Sequence, residues 1–280
     1  MNIHVEKNVN DKPNLVLLHG WASSSKIWRD WLPQLSDHFS LTLIDIPGLG
    51  QSTLSEKYSI DAIVDAVLAV LPQKCALLGW SLGGVIATLL AQKMLAQNVS
   101  ATEDDSAAQF KRHELTALIT IASNPCFVAQ SDWVTAMPAF MFEQFQTNLI
   151  NDEQKALARF FLLQVQKGSV SKEILKTIKA VARDESPADL QHSLSLLSID
   201  TRSILATLNI PSYHVFGEFD QLVPAAITVE LEKLSPFIST KIINGAGHLP
   251  FLSDAEQVAN DVCGFLTKQT LGARKLNCHN

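Results

Sequence analysis

Apolar and polar positions along the chain follow two alternating rhythms. Short runs dense in aliphatic residues, "NLVLLHG" (14–20), "LTLIDIPG" (41–48), "CALLG" (75–79), "LTALITIAS" (115–123), "YHVFGE" (213–218) and "TKIING" (240–245), predict strands. Longer stretches between them carry helical spacing. In "SIDAIVDAVLAVL" (59–71), Ile60, Ile63, Val64, Val67, Leu68 and Leu71 fall on one helical face. Apolar strands separated by amphipathic helices predict an α/β fold, a mostly parallel sheet covered on both sides. Between about residues 125 and 208 the alternation stops. There "KALARFFLLQVQ" and "SKEILKTIKAVARD" are purely helical in period, and Pro125, Pro138, Pro187 and Pro211 mark breaks. The pattern predicts one discontinuous core domain, residues 1–124 and 209–268, with a helical cap, 125–208, inserted before the last strands. The polar, acidic segment 96–114 reads as a surface loop, and 269–280 as a flexible tail.

At one junction the change from strand to helix is abrupt. In "LLGWSLGGVIA" (77–87) an apolar run meets a helical one at Gly79-Trp80-Ser81-Leu82-Gly83. A serine between glycines at such a turn is held with its hydroxyl above the sheet, and residues two before and two after crowd it. A serine hydroxyl is a weak nucleophile, so it needs a base and the base an orienting acid. His248, in "NGAGHLPF", follows the last strand-like run, whereas His214 lies inside a strand and His192 inside a cap helix. Asp220, in "VFGEFDQLVP", ends the preceding strand; Glu218 is its competitor as the acid. Asp45 also ends a strand but precedes Ser81, and is expected to organise its own loop. Acyl transfer further needs donors for an oxyanion. The backbone N–H groups of Leu82 and of Trp21, in "LLHGWAS", are the candidates, with His19 and Gly20 shaping that loop.

Composition narrows the field. The 280 residues are enough for one large domain with an insertion, and 47% hydrophobic with 18% charged residues describes an ordinary globular chain. A net charge of −6 argues against nucleic acid as a partner. The start, "MNIHVEKNVNDKP", has no signal-peptide pattern and no run is long enough to span a bilayer, so a cytoplasmic monomer without membrane contact is expected. Cys75, Cys126, Cys263 and Cys278 are then expected as reduced thiols. Neither H-E-x-x-H nor C-x-x-C occurs, and Gly48 and Gly50 make only a short turn; no metal or other cofactor is expected. From Lys155 to Arg183 the charge reverses. Lys155, Arg159, Lys167, Lys172, Lys176, Lys179 and Arg183 face one acid, Glu173, and Lys172, Lys176, Lys179 and Arg183 share a helical face above Ile174, Leu175, Ile178 and Val181.

The motifs "LLHGW", "DIPGLGQS", "GWSLGG", "GEFDQLVP" and "GAGHLPF" resemble those of the α/β-hydrolase superfamily across nearly the whole chain. "LVLLHGWASSSKIW", "LLGWSLGG", "IASNPCF" and "RFFLLQ" are similar more narrowly to the pimeloyl-[acyl-carrier protein] methyl ester carboxylesterases. The resemblance implies a serine esterase that cleaves the methyl ester of a pimeloyl chain on acyl carrier protein in biotin biosynthesis. Its nucleophile, acid and base fall on Ser81, Asp220 and His248, its oxyanion donors on Trp21 and Leu82, and its pocket residues on Trp21 and Phe160. It also implies that Lys155, Arg159, Lys172 and Lys176 dock the acidic carrier. The acidic loop around Glu103 to Asp105 is longer than the family's usual connection, and Ala22 stands where glycine is common. A general short-acyl esterase or a carbon–carbon-bond hydrolase could use the same triad. From a different class, the fold could serve as a non-catalytic ligand-binding scaffold.

Overall fold

A computed structural model of the chain describes residues 2–53, 59–99, 112–165, 169–183 and 190–277. Its centre is a seven-stranded sheet of order β1-β3-β2-β4-β5-β6-β7. The strands are β1 (Val5–Asn8), β2 (Asn14–Leu18), β3 (Ser40–Ile44), β4 (Lys74–Trp80), β5 (Glu114–Ile121), β6 (Ser212–Gly217) and β7 (Ile238–Ile243). Only β1 runs antiparallel, Val5 opposite Ile44; every other pairing is parallel. All residues of β3, and all of β4 after Lys74, are buried, as a sheet covered on both faces requires. Strand order reverses between β2 and β4. Such a switch point leaves a crevice beyond the carboxyl ends of those strands, and there the site is built.

Helices α1 (Leu32–Ser36), α2 (Ile60–Val70) and α3 (Leu82–Val99) join the first strands. Ser59 caps α2, its hydroxyl accepting the Ala62 N–H at 3.2 Å, and Ile63, Val64, Val67 and Leu68 are the buried stripe. Between β5 and β6 the chain makes α4 (Ala139–Asn151), α5 (Glu153–Leu163), α6 (Ser169–Arg183), α7 (Leu190–Leu194) and α8 (Arg202–Thr207). The two ends of this excursion meet: the Thr201 N–H and Oγ–H both reach the Pro125 carbonyl, at 2.7 and 3.2 Å. Beside them Arg202 pairs with Asp200 and Asp132 and lies over the Trp133 ring, whose N–H donates to Asn124 Oδ1. The "NPCF" motif thus forms part of the neck. Helices α9 (Ile227–Leu234), α10 (Pro250–Ser253) and α11 (Ala255–Asn277) complete the fold.

Two boundaries differ from the expectation. The stretch expected as a loop from 96 begins as helix, because α3 continues to Val99; Glu103 to Asp105 lie outside the described residues. The stretch expected as a tail from 269 is helical to Asn277, as α11 runs on with the same amphipathic spacing. Cys75, Cys126 and Cys263 are free thiols, and Cys278 lies outside the described residues. Among the described residues no helix is long and apolar enough to cross a membrane.

Candidate active site

Ser81 stands between the end of β4 and the first residue of α3, in the left-handed region at φ 53°. An L-residue does not hold that conformation unaided. Here the Ser81 N–H donates to Ile121 O at 2.9 Å, while its carbonyl accepts the Gly84 N–H at 2.9 Å and the Ser123 hydroxyl at 2.8 Å. The flanking glycines are required by contact. A Cβ at 79 would fall 2.1 Å from Gly83 O, and one at 83 would fall 2.1 Å from Leu18 O. The turn is therefore pressed against the end of β2, and Ser81 is only 6% exposed.

His248 and Asp220 lie in the loops after β7 and β6. His248 Nδ1 is 2.7 Å from Asp220 Oδ2, with both side chains buried. A carboxylate oxygen only accepts, so Nδ1 carries a proton in this bond, and Nε2 is the ring nitrogen left to act as a base. Nε2 is buried and has no hydrogen-bond partner among the described residues. The other carboxylate oxygen, Oδ1, accepts the N–H groups of Leu222 and Val223 at 2.8 and 3.1 Å, which fixes the acid in the loop. Glu218 is turned elsewhere. It is exposed and accepts the Gly245 N–H at 2.8 Å, bracing the base of the His248 loop. The loop reaches the serine turn through Trp80, whose Nε1–H donates to the His248 carbonyl at 2.9 Å.

The loop after β2 lies against the same turn, since a Cβ on Gly20 would sit 3.2 Å from Ser81 Cβ. It also approaches the start of α3, where a Cβ at Gly83 would fall 2.6 Å from His19 O. His19 braces this loop: its Nδ1–H donates to Gly20 O at 2.8 Å and its Nε2 accepts the Ile46 N–H at 3.0 Å. Asp45 ties the next loop to it, accepting Ser25 N–H at 2.6 Å and Gln51 N–H at 2.9 Å. Burial would raise the Asp45 carboxyl, yet these N–H groups hold it below its ordinary value. Ala22, where glycine is common, takes φ 55°.

The helices between β5 and β6 close the site from above. Trp21 stands edge-on to Phe160 at 5.0 Å and to Phe145 at 5.6 Å, making an aromatic wall. Its indole N–H reaches Leu190 O and Ser193 Oγ of α7, at 3.2 and 3.1 Å. Gln164, at the end of α5, accepts the His248 N–H on its carbonyl at 3.1 Å. Lys155 and Arg159 on α5, and Lys172 and Lys176 on α6, are exposed, with Ile174, Ile178 and Val181 buried beneath α6. The side chains of Lys167 and Arg183 lie outside the described residues. Phe145 and Ser193 were not singled out from the sequence, and Gln164 entered only as the last residue of "RFFLLQ", with no role of its own. Phe145 shares an ordinary helical stripe, and the other two act through contacts to distant residues that no local pattern records.

A carboxylate-anchored imidazole in a loop abutting a buried serine turn is an arrangement for acyl transfer. Comparison with known proteins agrees. Residues 13–255 match the family model described as alpha/beta hydrolase fold. The chain is 36% identical over 258 residues, 91% of this chain and 93% of the other, to the pimeloyl-[acyl-carrier protein] methyl ester esterase of Edwardsiella ictaluri. It is 34% identical over 272 residues, 95% of this chain and 100% of the other, to that of Aeromonas salmonicida. Among solved structures it resembles an esterase from Exiguobacterium antarcticum, with a TM-score of 0.78 at 17% identity over 95% of each chain, a likeness of fold.

Proposed function

The chain belongs to the α/β-hydrolase family, and on that premise we propose that it is a serine carboxylesterase hydrolysing the methyl ester of pimeloyl-[acyl-carrier protein] to the free acid and methanol. The observation that carries the chemistry is the 2.7 Å His248–Asp220 bond in a loop fastened to the left-handed turn of Ser81. His248 Nε2 takes the proton of Ser81 Oγ as that oxygen attacks the ester carbonyl carbon. Asp220 stabilises the imidazolium, and the backbone N–H groups of Trp21 and Leu82 receive the oxyanion. As the tetrahedral intermediate collapses, the methoxy oxygen leaves with the proton from His248, as methanol. Water then gives a proton to His248 and attacks the acyl carbon, and the proton returns to Ser81 Oγ as the acid departs.

Substrate choice rests on two features besides the relatives. The aromatic wall of Trp21, Phe145 and Phe160 suits an apolar acyl chain. The exposed bases Lys155, Arg159, Lys172 and Lys176 suit an acidic carrier.

Phenylmethylsulfonyl fluoride should add one label, at Ser81, and Ser81→Ala should remove both the label and p-nitrophenyl butyrate turnover; mass spectrometry checks the first and release of p-nitrophenolate the second. Persistence of the label in Ser81→Ala would assign the nucleophile elsewhere. For the substrate, expression should restore growth of a biotin auxotroph lacking this esterase. A well-expressed, esterase-active protein that fails to do so is a general short-acyl esterase.

A further inference from the structure

We infer that Trp80 is a positioning residue of the hydrolysis, its indole N–H holding the peptide of His248 and so the angle at which the imidazole meets Ser81. The inference rests on the reading of His248 as the base. Trp80 is the last residue of β4, next to Ser81, and is 1% exposed. Its Nε1–H crosses 168 residues of sequence to the His248 carbonyl, at 2.9 Å. The N–H of His248 is held in turn by Gln164 O at 3.1 Å, so both polar groups of this residue's own backbone are fixed. The Trp80 ring lies 5.6 Å from the imidazole, and Phe251, three residues beyond His248, stands edge-on to it at 5.6 Å. On another side is the oxyanion loop: a Cβ at Gly20 would fall 2.9 Å from Trp80 Cε3. One side chain therefore touches the nucleophile turn, the base loop and the loop of Trp21.

Filling this space needs only an apolar ring. The N–H is what a phenyl ring lacks, and its partner is the one carbonyl that belongs to the base. The Asp220 bond orients the imidazole about its Nδ1 end, while the backbone sets where the ring begins. Catalytic groups tolerate errors of only about 0.5 Å or 10–20°, and a 1 Å misplacement costs on the order of a hundredfold. Loss of the indole donor leaves the base attached to its acid but on a looser stem.

Trp80→Phe keeps a ring and removes the donor. With p-nitrophenyl butyrate we expect kcat about tenfold lower, KM within about twofold, and labelling of Ser81 by phenylmethylsulfonyl fluoride slowed in proportion. The far-downfield proton resonance of the His248–Asp220 bond should broaden or shift. Trp31→Phe is the packing control, for it too removes a buried indole N–H, the donor to Ala255 O at 2.9 Å. It should lower the melting temperature and leave kcat within about twofold. Trp80→His, which restores a ring N–H, should recover part of kcat over Trp80→Phe, or over Trp80→Met if the phenylalanine variant does not fold. Equal kcat in the variants with and without a donor, or a loss no larger than in Trp31→Phe, would overturn the inference. Activity or labelling that survives in Ser81→Ala overturns instead the serine mechanism beneath it.

Discussion

His214 lies in β6, between β5 and β7, 1% exposed, where a strand pattern predicts a packed side chain. Its Nδ1 shares a hydrogen bond with Thr120 Oγ1 at 2.7 Å, and Nε2 is buried with no hydrogen-bond partner among the described residues. Burial pushes its pKa from 6.5 down to about 4. The sign follows from proton counts. Above about 6.5 the ring is neutral folded and unfolded, and stability does not depend on it. Between about 6.5 and about 4 the unfolded chain binds a proton that the fold refuses, so stability falls as pH falls, by on the order of 3 kcal/mol over the interval. Urea unfolding midpoints across that range should slope less steeply in His214→Gln than in the parent. Equal slopes would place the acid sensitivity elsewhere.

Helix α6 shows what an element adds to its residues. Its buried stripe of Ile174, Ile178 and Val181 turns Lys172 and Lys176 outward, and the helix packs against α5, which carries Lys155 and Arg159. Charges at such a rim mainly speed encounter and fade with salt. Changing Lys172 and Lys176 to Glu should lower kcat/KM for a pimeloyl-carrier methyl ester at least about tenfold, equivalent to roughly 1.4 kcal/mol, while sparing p-nitrophenyl butyrate. Paired steady-state assays would read this, and equal loss on both substrates would signal damage to the fold. The same scale shows what the sequence made legible. Each of the six expected strands is present: β2 to β6 announce themselves as buried apolar runs, and the edge strand β7 by its paired isoleucines before Asn-Gly. β1, "VEKN", went unseen because an edge strand, half exposed, needs no such run. The serine turn was readable because Gly79 is dictated by contact with Gly83 inside the same pentapeptide, although Gly83 itself faces Leu18 O of β2. The pairing of His248 with Asp220 rather than Glu218 could be only half read, since both acids end the same strand and loop geometry decides between them.

At the scale of the molecule, the helices between β5 and β6 are hydrogen-bonded to the site at α7 and at the end of α5, besides the neck at Pro125 and Thr201. Trp21, from the loop after β2, hangs its indole on α7, and His248 gives its N–H to the end of α5. One member of the wall, Phe160, and the strut to His248 share a helix, with Phe160 only a turn before Gln164. Phe160→Ala, intended only to widen the pocket, should lower kcat several-fold for p-nitrophenyl acetate, an ester too small to need the wall. Kinetics on acetate and octanoate esters would check it, and an unchanged kcat on acetate would uncouple the two roles. Breadth and speed then trade against each other in any lineage that redesigns this pocket: a new substrate is first accepted at the expense of turnover. Recovery must come from substitutions that tighten the end of α5 again, at positions the new substrate never meets.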